Sequence, residues 1–574
     1  MDRRAILRWM SLGGAAVGLY GKRSLAAADD SPQDISVNQV GYLPTSEKIA
    51  GFPADNRPGR VFHLESNSGG GALFQGTLST PSTDAASGVR VALADFSQYT
   101  HPGIYQLVSG SLRSRPFVIG ASVYQRPLEL SVRAFYGQRC GCAVDLGDGY
   151  RHPSCHLTGA YHPSSGRDGS VANHGGWHDA GDYGRYVVNS NISVSTLLWA
   201  WELYPRALRK LSLDIPESGG KLPDYLAEIR WCLEWMLSLQ DADGGVWHKQ
   251  TSEQFCGFIM PQDDHLTSYV IGTGAPPYKS TCATAGFAAS MAVAARCYGA
   301  YDTAFAARCL LAARHAYTWA VAHPSVTFDN PPGIGTGSYA DAHCGDELLW
   351  ASAELWRTTG EAQYEQAFLA ATQALPPESA IAAPSWNNVA PLAYWTYVLS
   401  ERPGDAAMRS RILSKTAEVA RSYVGRRQLS GFGNTLRAED YIWGSNSVAA
   451  NQSLLLLVAN QLKPDRQLLE AALGNLHYLL GRNCFAVSWV TQVGTNPFLH
   501  PHHRPSAADG IAAPWPGLLS GGPNARPADK VALALPKLPP MRMWEDDQAA
   551  YSLNEVAINW NAPFVFLLAA ANSG

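Results

Sequence analysis

Two aspartates three positions apart, Asp179 and Asp182, stand in the run Gly175-Gly176-Trp177-His178-Asp179-Ala180-Gly181-Asp182-Tyr183. If this segment begins a helix, the spacing puts both carboxylates on one face, pointing into a shared space. Such a pair can divide its work, one carboxylate deprotonating a water while the other helps to hold it. Far along the chain, Glu555 opens the apolar run Val556-Ala557-Ile558-Asn559-Trp560-Asn561-Ala562, shortly after Asp546, Tyr551 and Asn554. A carboxyl part-buried beside Tyr551 and Trp560 is expected to have a raised pKa, which keeps it protonated as a general acid. A third cluster, Pro501-His502-His503-Arg504, offers donors that can bind hydroxyls or orient carboxylates. Glycosidases need such a local density of carboxylate, and an inverting one needs a base for the water plus a second carboxyl that helps to hold it. Taken singly, each has a plainer reading: an aspartate cap, a helix-start glutamate favoured by the dipole, or paired histidines on a metal.

The elements that must position these residues fall into two regimes. From about Asp34 to Gly120 the chain runs in short alternating stretches. Val89, Val91 and Leu93 alternate with Arg90 and Ala92, and Ile104, Gln106 and Val108 oppose Tyr105 and Leu107. Breakers at Pro53, Pro58-Gly59, Gly69-Gly70-Gly71 and Pro102-Gly103 separate about seven strands, which predicts a small β-sandwich. From about Tyr124 the period becomes helical. Leu222, Tyr225, Leu226, Ile229, Leu233, Met236 and Leu237 share one face. Similar patterns recur over 281–299, 304–322, 346–357, 364–373, 391–400, 408–423, 450–462, 467–480 and 555–571. Roughly a dozen helices without a fixed sequence repeat predict a helical toroid rather than a solenoid. The longest loops, 139–183, 240–279 and 484–543, are where chemistry is expected.

Composition narrows the partners. The 574 residues carry a formal net charge of −4 and only 16% charged residues, with no basic stripe, so nucleic acid is not expected. Seventeen Trp and 25 Tyr are unusually many, and flat rings suit the apolar faces of sugars as well as a core. Arg3-Arg4, a weakly apolar stretch from Trp9 to Tyr20 and Ala26-Ala27-Ala28 resemble a Tat-type signal over residues 1–28, which predicts export to the periplasm or beyond. That stretch is shorter than the ~17 residues a spanning helix needs, and no membrane partner is expected. Ten Cys do not make a disulfide scaffold at this length, and Cys232, Cys282, Cys297 and Cys309 read as buried fillers.

Set in order, the clusters resemble glycoside hydrolase family 9, the cellulase family long called E. One signature spans Ser488–Arg504, with Thr491, Gly494, Asn496, Pro501, His502 and Arg504 in place. Another spans Trp544–Ala562, with Asp546, Tyr551, Glu555, Ala557, Asn561 and Ala562. The Asp-Ala-Gly-Asp element is the third landmark, and Asp243-Gly244-Gly245-Val246-Trp247-His248-Lys249, Trp443-Gly444-Ser445-Asn446 and Gly521-Gly522-Pro523-Asn524 extend the likeness over nearly all of residues 124–572. Val37-Asn38-Gln39-Val40-Gly41-Tyr42-Leu43-Pro44 is similar to the opening of the immunoglobulin-like domain of one subgroup.

The resemblance implies a multidomain chain: an all-β immunoglobulin-like sandwich over 32–120, then an all-α (α/α)6 catalytic barrel over 124–574. It implies a monomeric, inverting endo-1,4-β-glucanase acting on a cellulose-like polysaccharide or oligosaccharide. Mixed-linkage glucan, glucosamine oligomers, exo action and a non-catalytic carbohydrate-binding protein are the alternatives. Asp182 would be the base, Asp179 its partner on the water and Glu555 the acid, with Asp546, His502 and Arg504 positioning substrate and tuning the carboxyls. Trp177, Trp247, Trp386, Tyr441, Trp443, Trp544 and Tyr551 are candidate sugar contacts. Cys140, Cys155, His156 and His178 have the chemistry and number of a closed structural zinc site, with Cys142 a rival for Cys140 or a disulfide partner for Cys155. Asp346-Glu347 resembles a calcium element whose companion position is Asn387 or Asn388, while a second calcium near Asp241 and Asp243 is left without assigned ligands. No organic cofactor is expected.

Overall fold

The computed structural model describes residues 34–56, 59–172 and 175–573, so the signal-like segment lies outside the described residues. Residues up to Ile119 form two sheets. Strands Gly41–Tyr42, Phe117–Ile119, Gly103–Ser109, Val61–Ser66 and Ala72–Thr77 lie in that order in one sheet, with Leu112–Arg113 beside Gly103–Ser109. Ile49–Pro53, Arg90–Asp95 and Ser82–Thr83 make the other. Phe52, Phe62, Leu64, Ala92, Ala94, Phe96, Tyr105 and Leu107 are among the residues that fill the space between them. The alternation in 89–93 has packing partners on both sides. Ala92 and Ala94 face the sandwich core, while Val89 and Val91 join the core of the following domain, because this sheet has a neighbour on its other face as well.

The sandwich is fastened to the helical domain by its opening motif. Gln39 Oε1 accepts from the backbone N–H groups of Thr495 (3.0 Å) and Asn496 (2.7 Å), and its Nε2 donates to Ala486 O (2.7 Å). Asn38 Nδ2 reaches His477 Nδ1 (2.9 Å) and Tyr124 Oη (3.2 Å). Gly41 pairs in parallel with Val118, with φ at +139°, and a Cβ there would sit 1.9 Å from Val118 O, so only glycine fits.

The remainder is a large helical domain with twelve helices of ten or more residues among the described residues. Ile558–Ala571 packs on Val187–Leu203, which packs on Thr281–Tyr298, then Gly345–Thr359, then Ala390–Leu399. Ala406–Leu429 touches both Ala390–Leu399 and Ser445–Leu462, and the latter returns to Ile558–Ala571. Gln125–Gly137, Asp224–Ser238, Thr303–Ala322, Ala362–Ala371 and Arg466–Leu479 lie against members of that chain of contacts. One helix, Val187–Leu203, does not show in the periodicity. Every residue from Val187 to Trp201 is buried, and a helix enclosed on all sides needs no polar face.

The loops that enter these helices carry the chemistry-bearing residues. Asp179 and Asp182 precede Val187–Leu203, Tyr339 precedes Gly345–Thr359, Trp443 precedes Ser445–Leu462, and Glu555 precedes Ile558–Ala571. No described helix is long and apolar enough to cross a membrane.

Candidate active site

The Asp179–Asp182 segment is not a helix start. It is a series of bends before strand Arg185–Tyr186. Three segments are tied together at this point through the backbone. Ile558 N donates to Asp179 O (2.8 Å), His502 N to Asn554 O (2.9 Å), and Arg504 Nη1 to Gly181 O (2.7 Å). Gly181 is dictated by the closeness of that join, since a Cβ there would lie 1.9 Å from His502 O. Glu555, expected to begin a helix, instead follows the short helix Tyr551–Asn554 in extended conformation and bridges to His502. Its carbonyl accepts from Gly521 N (2.7 Å), so the residue is held by two loops before the last helix starts at Ile558.

The two aspartates are bound unequally. Asn189 Nδ2 donates to Asp179 Oδ1 (2.6 Å), and Tyr339 Oη donates to Asp179 Oδ2 (2.6 Å). Asp182 Oδ2 accepts from Gly184 N (2.9 Å) and Tyr186 Oη (3.3 Å), while its Oδ1 accepts nothing from the described residues. Burial first, and the Asp182 charge second, push the Asp179 carboxyl up to about 8. Glu555, part-exposed as a whole residue, is raised well above the usual carboxylate range. Desolvation of its carboxyl leads, the charges of Asp182 and Asp179 add to it, and Arg504 and a hydrogen bond from Trp443 oppose it. The backbone and Arg504 joins bring the Asp179–Asp182 segment and Glu555 to the same junction of loops.

The neighbours divide into those that can meet a ligand and those that brace. His502 Nδ1 donates to Gln548 O (2.8 Å), which leaves Nε2 without that proton when the ring is neutral, and burial lowers its pKa. Phe258 stands edge-on to the His502 ring at 5.0 Å. Arg504 is buried and uses its guanidinium on the carbonyls of Gly181 and Cys256 (Nη2, 3.0 Å), so it fixes two loops instead of reaching outward. Asp546 accepts from the N–H groups of Leu499 (2.8 Å) and His500 (2.9 Å) and from Asn554 Nδ2 (2.9 Å), which braces the residue next to Glu555.

Several expected sugar contacts are enclosed. Trp177 has no exposure and donates to Glu228 Oε1 (2.9 Å), Tyr441 is 1% exposed, Trp247 is 2% exposed, and Trp544 packs on Phe485 and Trp489. Large rings supply the most burial per residue, and here the core takes them. Trp443, 43% exposed and tilted on Tyr551 at 5.4 Å, and part-exposed Trp386, edge-on to Tyr339 at 5.2 Å, remain accessible. Phe255 and Phe258, exposed beside Arg504, join the site without any cue in the sequence pattern. So do Tyr339 and Tyr186. Asn189 joins as well, one of several polar residues in the first turns of helix Val187–Leu203.

Cys140, Cys155, His156 and His178 converge, with one ligand atom from each lying within 4.8 Å of the others. Cys155 Sγ and His178 Nε2 are 3.9 Å apart, close to the roughly 3.5 Å edge of a tetrahedral zinc site. His156 Nε2 contacts Asp264 Oδ2 at 3.3 Å, which leaves its buried Nδ1 unpartnered and free to bind a metal. Cys140, not Cys142, belongs to the group. Near Asp346-Glu347, both Glu347 carboxylate oxygens and Asp341 Oδ2 are buried without hydrogen-bond partners, and Asp346 Oδ2 accepts from Val389 N (2.8 Å). Burial, with Asp346 and Asp341 alongside, raises Glu347 well above its usual range. Cys282, expected to be a core filler, instead forms a disulfide with Cys344 and so cannot serve as a thiolate ligand there. Asp241 and Asp243 are already neutralised. Lys279 Nζ lies 2.6 Å and 3.1 Å from them, and Arg167 pairs with Asp241.

Comparison with known proteins agrees with this assembly. The profile of the glycosyl hydrolase family 9 matches residues 124–568, and that of the cellulase N-terminal ig-like domain matches residues 30–114. Endoglucanase D of Acetivibrio thermocellus is 36% identical over 544 residues, covering 93% of this chain and 83% of that protein. The crystal structure of a single mutant of the thermostable endoglucanase from Alicyclobacillus acidocaldarius superposes with a TM-score of 0.86 at 34% identity, over 95% of this chain and 100% of that one. A zinc-binding triple mutant of endoglucanase J30 gives 0.85 at 34% identity, over 92% and 99%. Carboxylates converging where three loops meet, on a helical domain preceded by an immunoglobulin-like one, thus have their explanation: the chain is a member of glycosyl hydrolase family 9.

Proposed function

We propose that this chain is an inverting endo-1,4-β-glucanase, with Asp182 as base and Glu555 as acid, acting on cellulose-like chains. The observation that carries the assignment is the unequal binding of the aspartates. Asp179 has a donor on each oxygen, whereas Oδ1 of Asp182 accepts from none of the described residues. A water there loses its proton to Asp182 while Glu555, held protonated, gives its proton to the departing glycosidic oxygen. Trp443, Trp386, Tyr551 and Phe258 are the rings placed to stack on sugar units, and His502 Nε2 is the atom placed to meet a hydroxyl. The closed run of helix contacts is read as an (α/α)6 barrel over 124–574, behind a sandwich over 32–120. Export through the Tat-like segment suits a chain with a disulfide. Proton NMR of cellopentaose digestion is expected to show the α-anomer appearing first. Initial β-anomer would overturn inversion, and activity on chitosan oligomers alone would overturn the substrate.

We also infer a structural zinc on Cys140, Cys155, His156 and His178, and a calcium held by Asp346, Glu347 and Asp341. When bound, the zinc supplies cross-linking of the loop that runs from His178 directly into Asp179. Dialysis against a strong zinc chelator is expected to release one zinc per chain and lower the melting temperature by several degrees, at about 1 °C per kcal/mol lost in a domain of roughly 450 residues. A His156→Ala variant should contain less than about one-fifth of the wild-type zinc, since a tetrahedral site with a missing ligand loses most of its affinity. Equal metal content in both proteins would refute the site.

A further inference from the structure

Lys249 has no exposed surface, yet among the described residues its hydrogen bonds all go to neutral acceptors and no carboxylate pairs with it. Its Nζ donates to Asn330 Oδ1 (2.8 Å), Gly337 O (2.7 Å) and Thr336 Oγ1 (3.1 Å), all neutral acceptors on one loop. A buried ammonium without a counter-ion has given up its hydration with no charge to offset the loss, so an apolar side chain would suit packing better. Its surroundings suggest what it does. Lys249 lies directly opposite Tyr186 in the strand pair, its ammonium sits 5.6 Å from the Tyr186 ring centroid, and the Tyr186 hydroxyl donates to Asp182 Oδ2. The loop it grips continues through Ser338, whose carbonyl is bound by His248 Nε2 (2.8 Å), to Tyr339, whose hydroxyl donates to Asp179.

We propose that Lys249 is a positioning residue for the carboxylate pair: its buried ammonium fixes the 330–339 loop so that Tyr339 reaches Asp179, and it directs an unpaired positive charge toward Asp182. This rests on the reading of Asp182 as base. The ionisable groups around Lys249 leave that role to it. His248 is held down to about 3 by burial, His162 is lowered by burial, and Tyr186 is raised far out of range, so none of them adds positive charge at neutral pH. Asp182 is the charge that favours the protonated lysine, so removing the ammonium removes a favourable charge from beside the pair. Burial brings Lys249 itself down to about 7, so this support is complete on the acidic side of neutrality, where a base must remain ionised.

The test compares full-length Lys249→Met, Lys249→Arg, Tyr339→Phe and the Met/Phe double variant on cellohexaose across pH. Lys249→Met is expected to lower kcat about ten- to hundredfold, the cost of a misplaced catalytic group, with KM within about twofold. Its acidic limb should move up by about half a pH unit or more, and Lys249→Arg should restore that limb. Tyr339→Phe cuts the relay at its far end, so the double variant should lose less than the product of the single losses. Unchanged kcat and limb in Lys249→Met would overturn the proposal. So would multiplicative losses, or lower activity that merely tracks the folded fraction with no shift of the limb. If Lys249→Met does not fold, Lys249→Gln takes its place, since an amide can still donate to the loop carbonyls without the charge. A raised acidic limb in that variant supports the role, and an unmoved limb refutes it. Asp182→Asn run alongside separates the two readings. If Asp182→Asn remains active, the base assignment fails. If Asp182→Asn is inactive and Lys249→Met is unaffected, only the role of Lys249 fails.

Discussion

Glu555→Gln is expected to lower kcat on cellohexaose by about 10²–10⁴-fold, the usual contribution of a general acid, with KM changed only a few-fold. Glutamine keeps the shape, and the backbone bonds to Gly521 and the bridge to His502 do not depend on the carboxyl, so the site survives without its proton. A leaving group that needs no proton should then escape most of the loss. On a 2,4-dinitrophenyl cellobioside the expected deficit is under about tenfold, because the phenolate departs unassisted. The pH profile gives an independent reading. Glu555 is raised by burial and by both aspartates, so it stays protonated beyond the usual carboxylate range, and activity falls as pH rises through its folded-state value. In the glutamine variant that alkaline limb should vanish.

Stability should carry the same signature. A carboxyl whose folded pKa is raised contributes stability below its unfolded value and loses it as pH climbs through the folded one. The melting temperature of Glu555→Gln relative to wild type should therefore rise as pH climbs from the unfolded carboxyl value, about 4, through the alkaline limb. An alkaline limb that persists in the variant, or an equal deficit on the dinitrophenyl substrate, would remove Glu555 from the acid role.

Much of this arrangement is legible in the sequence, and the failures have physical causes. The strand-rich opening and helices such as Thr303–Ala322 and Ala406–Leu429 follow from periodicity, the two helices because one face lies in the core and the other outside. Val187–Leu203 does not, since a helix enclosed from Val187 to Trp201 shows no period to read. The alternation in strand Arg90–Asp95 identifies the strand but not its core face, because both faces are covered. At the site, motif order locates the carboxylates, but their local structure cannot be inferred from it. The bends at Asp179–Asp182 and the extended backbone at Glu555 exist because distant segments bond to them, through Ile558 N, Arg504 and Gly521 N.

Exposure is the other blind spot. Trp177, Tyr441 and Trp544 are as aromatic as Trp443, and only packing decides which ring meets solvent. Tyr339 sits in a loop whose residues give no hint that its hydroxyl will reach Asp179. Arg504 lies where its motif puts it, beside the carboxylates, but it faces carbonyls, a distinction that needs coordinates.

Asp182→Asn should produce a different pattern of loss from the acid variant, and the contrast is the strongest test of the two roles. The substitution preserves the local bonding, since an asparagine carbonyl can still accept from Gly184 N and Tyr186 Oη while the amide nitrogen takes the place of the open Oδ1. The lone pair offered to water disappears. Water must be activated whatever group leaves, so the expected deficit of about 10²–10⁴-fold applies equally to cellohexaose and to the dinitrophenyl cellobioside. Oligosaccharide affinity, read by calorimetry, should stay within a few-fold. Asp179→Asn should cost less, because the two oxygens of Asp179 are already occupied by Asn189 and Tyr339 and its part is to shape the water site. If Asp182→Asn kept more than about a tenth of the activity while Asp179→Asn abolished it on both substrates, the unequal bonding of the pair would have been assigned backwards, and Asp179 would be the base.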